Sequence, residues 1–196
     1  MGKIFCLMGK SSSGKDTIFG EIKKSFEHLL IPIIPYTTRP IRVGEVEGQA
    51  YHFISEEQLD QYNARDKVIE QRVYQTVEGP WYYATIDDGN IDLQVQDYIV
   101  IVTLEAYNNL VHYFGKDCVV PIYIDVENGL RLERALRRER QQVNPNYDEL
   151  CRRFLADNRD FSAANLQAAG IEKVYINDDI NRCIDEISND IKKMIK

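Results

Sequence analysis

Residues 4–15 read Ile4-Phe5-Cys6-Leu7-Met8-Gly9-Lys10-Ser11-Ser12-Ser13-Gly14-Lys15, an apolar run that breaks into a glycine- and serine-rich turn ending in lysine. The apolar run 4–8 is short and stops at a glycine, so it predicts a buried first strand. Beyond Lys15, Ile18, Ile22 and Phe26 recur at helical spacing and predict a helix over residues 16–29. Between strand and helix, residues 9–15 fit the pattern G-x-x-x-x-G-K in the structural context that the pattern requires. Glycines let backbone N–H groups curl around phosphate oxygens, and the helix N-terminus adds positive potential. Lys15 supplies a full charge to the terminal phosphates.

Residues 31–34 predict a second strand. Residues 98–104 and 119–124 predict two more, each followed by a helical pattern. A last strand at 173–176 leads through Asn177-Asp178-Asp179 into a helix with Ile180, Cys183, Ile184, Ile187 and Ile191 on one face. Apolar strands alternating with helices predict an α/β fold, a parallel sheet covered on both faces. Residues 36–90 differ in character. They carry Tyr36, Tyr51, Tyr74, Tyr82, Tyr83 and the one Trp, at 81, with helical periodicity only over 55–67. They read as a polar insert that presents side chains to a ligand.

Composition narrows the function classes. The chain has 196 residues, 44% hydrophobic and 28% charged, with 11 Gly and 6 Pro. These proportions exclude collagen-like, low-complexity and disordered readings. A chain of this length buries roughly 70% of its unfolded surface without a disulfide or metal staple. Cys6, Cys118, Cys151 and Cys183 form no C-x-x-C pair, as expected of thiols in a reducing compartment. His28, His52 and His112 lie in no metal-ligand spacing. No apolar run approaches the about 20 residues that span a membrane, and Met1-Gly2-Lys3 runs into strand without a leader pattern. A cytoplasmic protein with no membrane partner is expected. The net charge of −7 speaks against a nucleic-acid polymer as partner, but not against a small phosphorylated ligand in a local basic patch.

One position departs from the phosphate-turn pattern. Asp16 stands where a Ser or Thr hydroxyl normally approaches Mg²⁺, and Thr17 follows it. Asp16 either holds the metal, directly or through water, or is an ordinary acid in a first helical turn.

A second phosphate site lies in Thr37-Thr38-Arg39-Pro40-Ile41-Arg42-Val43-Gly44-Glu45. Two arginines three apart around a proline can grip one phosphate from two directions. Two such sites in one chain describe an enzyme that passes a phosphoryl group between phosphorylated molecules.

With T-T-R-x-x-R-x-G-E and the downstream Gly48-x-x-Tyr51-x-Phe53, the chain resembles the guanylate kinase family almost end to end. The resemblance implies a P-loop NTPase-type parallel sheet with helices on both faces, a small mixed NMP-binding insert and a helical lid. The divisions would be a core of 1–35, 91–125 and 160–196, the insert at 36–90 and the lid at 126–159. It implies ATP as donor with Mg²⁺, and GMP or dGMP as acceptor. Arg39, Arg42, Tyr51 and Tyr83 would then bind the GMP phosphate, and Glu70 would read guanine, with Thr85 and Glu105 near the base. Guanine presents N1–H and N2–H₂ side by side, so one carboxylate accepts both, whereas adenine offers no such pair. Gly9, Ser11, Ser12, Ser13, Gly14, Lys15, Asp16 and Thr17 would hold ATP, with the metal at Asp16 and Thr17 and with Asn177 near the adenine. By its own sequence Asn177 is only a helix N-terminal cap.

Three departures bear on the acceptor. Pro35 replaces a serine that contacts the base in the family, the segment between Glu70 and Tyr83 is longer, and Thr103 replaces an acid two residues before Glu105.

Eight of the thirteen arginines lie between Val126 and Asp160, without a single lysine. Arg131, Arg134 and Arg138 share one helical face, and Arg152 and Arg153 follow on the next helix. The resemblance implies that Arg134, Arg138 and Arg153, with Lys15, act on the transferring phosphoryl group. Arg137 and Arg152 are near competitors, because the register slips easily by one. Two other readings stay open: a kinase of this fold with another phosphorylated acceptor, such as a ribosyl bisphosphate, and a non-catalytic domain that binds phosphoproteins.

Overall fold

In the computed structural model of the chain, residues 1–42, 44–76 and 79–195 are described; Val43, inside the two-arginine stretch, lies outside them. The elements run β1 (Ile4–Met8), α1 (Lys15–Ser25), β2 (Leu30–Pro32), β3 (Tyr36–Thr37), β4 (His52–Phe53), α2 (Glu56–Asn63), β5 (Val68–Thr76) and β6 (Gly79–Ile86). They continue with β7 (Asp97–Ile101), α3 (Leu104–Phe114), β8 (Val119–Asp125), α4 (Asn128–Glu139), α5 (Tyr147–Asp160), α6 (Ala163–Ala168), β9 (Val174–Ile176) and α7 (Ile180–Met194).

A five-stranded sheet has the order β2-β7-β1-β8-β9, and its pairings are all parallel. β1 lies at its centre, and its side chains divide by the period of two. Ile4, Cys6 and Met8 enter a core with Tyr98, Val100, Val119 and, from α3, Ala106, Tyr107 and Leu110. Phe5 and Leu7 enter the opposite core with Ile18 and Ile22 of α1 and Cys183, Ile187 and Ile191 of α7. Both faces are covered, which is why β1 is apolar at every position rather than at every second one. The expected α/β class holds.

A second sheet, β4-β3-β6-β5, is mixed: β3 pairs parallel with β4, while β3–β6 and β5–β6 are antiparallel. It packs a smaller core of Tyr36, Leu59, Ala84 and Ile86. α2 is set by a capping box in which Ser55 and Gln58 each accept from the other's backbone N–H.

Element ends shift for local reasons. The first helix stops at Ser25 rather than 29, because the backbone turns over Phe26, whose carbonyl accepts from Leu29 and Leu30. β2 therefore starts at Leu30. Leu104, expected in a strand, opens α3, since the Thr103 side chain caps that helix by accepting from the Ala106 N–H. Among the described residues, no helix is long and apolar enough to cross a membrane.

Candidate active site

The turn after β1 is shaped by close approach. A Cβ at Gly9 would lie 2.6 Å from the Ile124 carbonyl oxygen, and one at Gly14 2.4 Å from the Asn177 side-chain nitrogen. Gly14 also has a φ of 86°, in the left-handed region where glycine is at no disadvantage. Ser12 takes a φ of 65° without that freedom, a conformation uncommon outside Gly, Asn and Asp. The Ser12 and Ser13 hydroxyls are buried with no hydrogen-bond partner among the described residues.

Asn177 is not the helix cap read from sequence. Asp179 caps α7 by accepting from the Arg182 N–H. Asn177 is buried and donates from Nδ2 to the Ser13 carbonyl at 2.8 Å, so it braces the turn from behind. Arg134 reaches the same place, its guanidinium 3.4 Å from the Asn177 carbonyl oxygen. Lys15 Nζ lies 3.5 Å from the carboxylate of Asp16, whose side chain is 77% exposed, and Thr17 is exposed beside it. Among the described residues, no group of three or more His, Cys, Asp or Glu gathers to hold a metal. Mg²⁺ bound to phosphates keeps several waters and takes one or two protein carboxylates, so a single outward Asp16 fits it.

One cleft of about 890 Å³ joins this turn to the second sheet. Gly9, Ser11 and Lys15 line one part; Pro35, Tyr51, Glu70, Tyr83 and Thr85 line another, with Thr103 and Glu105 from the start of α3. Glu70 is buried, and its two oxygens accept from the Thr85 hydroxyl at 2.8 Å and from Arg72 Nε at 3.2 Å. Tyr51 meets Tyr83 edge-on at 5.5 Å, and burial beside that second phenol pushes the Tyr51 hydroxyl up. Glu105 is exposed at the cleft.

The two arginines around Pro40 have different surroundings. Arg39 is buried, gives both terminal nitrogens to Glu45 at 2.8 and 2.6 Å, and lies over the rings of Tyr51 and Phe53. Glu45 also accepts from the Arg42 backbone N–H, and these donors hold its carboxyl down at about 2. The Arg42 side chain is exposed. Neither guanidinium lines the cleft.

The arginine-rich helices divide in the same way. Arg131, grouped by spacing with Arg134 and Arg138, is fully buried and structural. It donates to Asp157 at 3.3 Å, to Asn158 at 2.7 Å and to Asn128 at 3.2 Å, and it lies 4.0 Å over the Phe154 ring. Its helical spacing was right, but its side chain ties α4 to α5. Arg138 and Arg153 line a smaller cavity with Ser11 and Ser12 of the turn, and the buried Arg131 forms part of its wall. Glu149 holds both Arg152 and Arg153, and their donation keeps its carboxyl at about 2. Arg137 points outward to Glu133.

Two of the cleft residues that were not read from sequence make contacts with the site. Arg72 stands two positions after Glu70 on β5, and strand alternation alone puts both on one face. Asp157 accepts from the Ser11 backbone N–H at 2.7 Å, a contact across 146 positions that no local pattern signals.

The family model of guanylate kinase matches residues 1–194. The chain belongs to the guanylate kinase family. A guanylate kinase of Neisseria gonorrhoeae is 33% identical over 105 residues, 54% of this chain and about half, 49%, of that relative. One of Chlorobaculum tepidum is 25% identical over 210 aligned positions, covering 99% of this chain and 94% of the relative. The crystal structure of guanylate kinase from Anaplasma phagocytophilum matches the fold with a TM-score of 0.66 at 21% identity, over 100% of this chain and 87% of that one.

Proposed function

We propose that this chain transfers the γ-phosphoryl group of ATP to GMP and dGMP, as an ATP:GMP phosphotransferase of purine nucleotide metabolism. The observation that carries the reading is a single cleft lined by a phosphate-turn lysine and by a buried carboxylate, Lys15 and Glu70. In this reading residues 1–35, 91–125 and 160–196 form the nucleotide-binding core, 36–90 receive the acceptor and 126–159 act as a lid.

The acceptor phosphate is already anionic at neutral pH, so no general base is required and catalysis is positioning and charge neutralisation. Lys15 and the turn N–H groups hold the donor phosphates. Arg39, its terminal nitrogens on Glu45 just outside the cleft lining, would reach the acceptor phosphate together with Arg42, Tyr51 and Tyr83. Glu70 accepts from guanine, with Thr85 and Glu105 beside the base. Arg134, Arg138 and Arg153 close over the transferring group and exclude water. Mg²⁺, with Asp16 or Thr17 as its protein ligand, would neutralise charge on the phosphates.

The test is a coupled assay of ADP release with ATP, Mg²⁺ and a panel of GMP, dGMP, AMP, UMP and sugar phosphates. ADP formed with GMP and dGMP alone is the expected result. Turnover only with a sugar phosphate would move the activity to another acceptor. Silence throughout, without ATP binding, would favour the phosphoprotein-binding reading.

A further inference from the structure

Arg72 is a cation in the acceptor part of the cleft that the mechanism above leaves unused. Among the described residues, Lys15 and Arg72 are the only cationic side chains that line the cleft, and Lys15 belongs to the phosphate turn. Arg72 Nε donates to Glu70 Oε2 at 3.2 Å, its side chain is about a quarter exposed (27%), and its terminal nitrogens have no partner among the described residues. The other Glu70 oxygen takes the proton of the Thr85 hydroxyl. Pro35, which also lines this part of the cleft, has no donor to offer.

Guanine carries its N1–H and N2–H₂ donors beside the acceptors O6 and N7. A carboxylate satisfies the donors only. A guanidinium presents parallel N–H groups in a rigid fork, the group best matched to O6 and N7. With Nε on a Glu70 oxygen, the terminal nitrogens of Arg72 remain for O6, the acceptor next to N1–H on guanine.

Resting on the GMP reading of this cleft, we propose that Arg72 is a specificity-determining residue that donates to the O6 edge of guanine while Glu70 accepts from N1 and N2. The pair then also rejects adenine, whose 6-amino group would face the Arg72 donors and whose bare N1 would face the Glu70 carboxylate.

The bland role for Arg72 is to neutralise a buried carboxylate, and acceptor analogues separate the two. The substrates are GMP, 6-thio-GMP, in which a weak acceptor replaces O6, and IMP, which keeps O6 and N1–H but lacks the 2-amino group. In wild type, GMP should be preferred over 6-thio-GMP. In Arg72→Met, kcat/KM should fall about 10- to 100-fold for GMP and for IMP, and less than about threefold for 6-thio-GMP. The preference for O6 over sulfur then collapses. Arg72→Lys, which keeps the charge without the fork, should recover only part of it, and GMP binding by calorimetry without ATP should follow the same order. An equal fall for all three nucleotides in Arg72→Met, with full recovery in Arg72→Lys, would overturn the proposal and leave Arg72 as a counter-charge. Wild type that turns over another acceptor but not GMP would refute the proposed function itself, a different failure.

Discussion

Arg131→Met tests whether the arginine-rich helices divide into structural and reacting parts as their geometry indicates. The substitution keeps most of the aliphatic stem but removes a guanidinium that bonds Asp157, Asn158 and Asn128 and lies over Phe154. Breaking one side of a buried ion pair costs about 3–5 kcal/mol in a fully dry site. Asp157 is partly exposed and keeps the Ser11 N–H, and the arginine's own desolvation is recovered, so about 2–3 kcal/mol is the expected loss. For a domain of this length that lowers the melting temperature by about 4–12 °C. The assay pairs a thermal melt with steady-state kinetics below the transition. Arg138→Ala, on the cavity that Ser11 and Ser12 share, should do the reverse: a small change in melting and a large loss of kcat. A melt of Arg131→Met unchanged within a degree, with kcat down a hundredfold, would refute the reasoning and add Arg131 to the residues proposed to act on the transferring group.

Lys15→Ala should abolish phosphoryl transfer while the melting temperature stays within a few degrees; retained turnover would remove the turn from the donor site. Glu70→Gln should raise KM for GMP at least about tenfold and leave KM for ATP nearly unchanged, so equal effects on both would take Glu70 away from the base. The Glu45 carboxyl, ordinarily near 4.5, is held at about 2 by Arg39 and the Arg42 N–H. A depressed folded value means that its stabilisation is complete above about 4.5 and is lost as the pH falls towards 2. Glu45→Gln should therefore flatten the fall of melting temperature with pH across that window, and an unchanged slope would mean that the Arg39–Glu45 contact contributes nothing in solution.

What the sequence revealed follows the range of each interaction. β1, the phosphate turn and α1 are legible because strand, glycines and apolar spacing act over a few residues. Glu70 was found through resemblance, and Arg72 beside it was within reach of strand alternation. The spacing of Arg131 with Arg134 and Arg138 holds in α4, but spacing fixes which residues share a face and not whether a second helix covers one of them. Asp157 and Asn177 act on the turn from 146 and 164 positions away, where periodicity carries no information. Asn177 looked like a cap because Asn before a helix usually is one. Here Asp179 took that task, and Asn177 was left to brace Ser13.

The central place of β1 has a consequence for how the molecule breathes. Edge strands of three residues, β2 and β9, can detach at low cost, whereas β1 is hydrogen-bonded on both sides and walled by both cores. Its amide hydrogens should therefore exchange only on opening of the whole domain, so the turn that follows it is mounted on a segment expected to exchange slowly. Fluctuations that loosen α4, α5 or the second sheet can then occur without dismantling that turn.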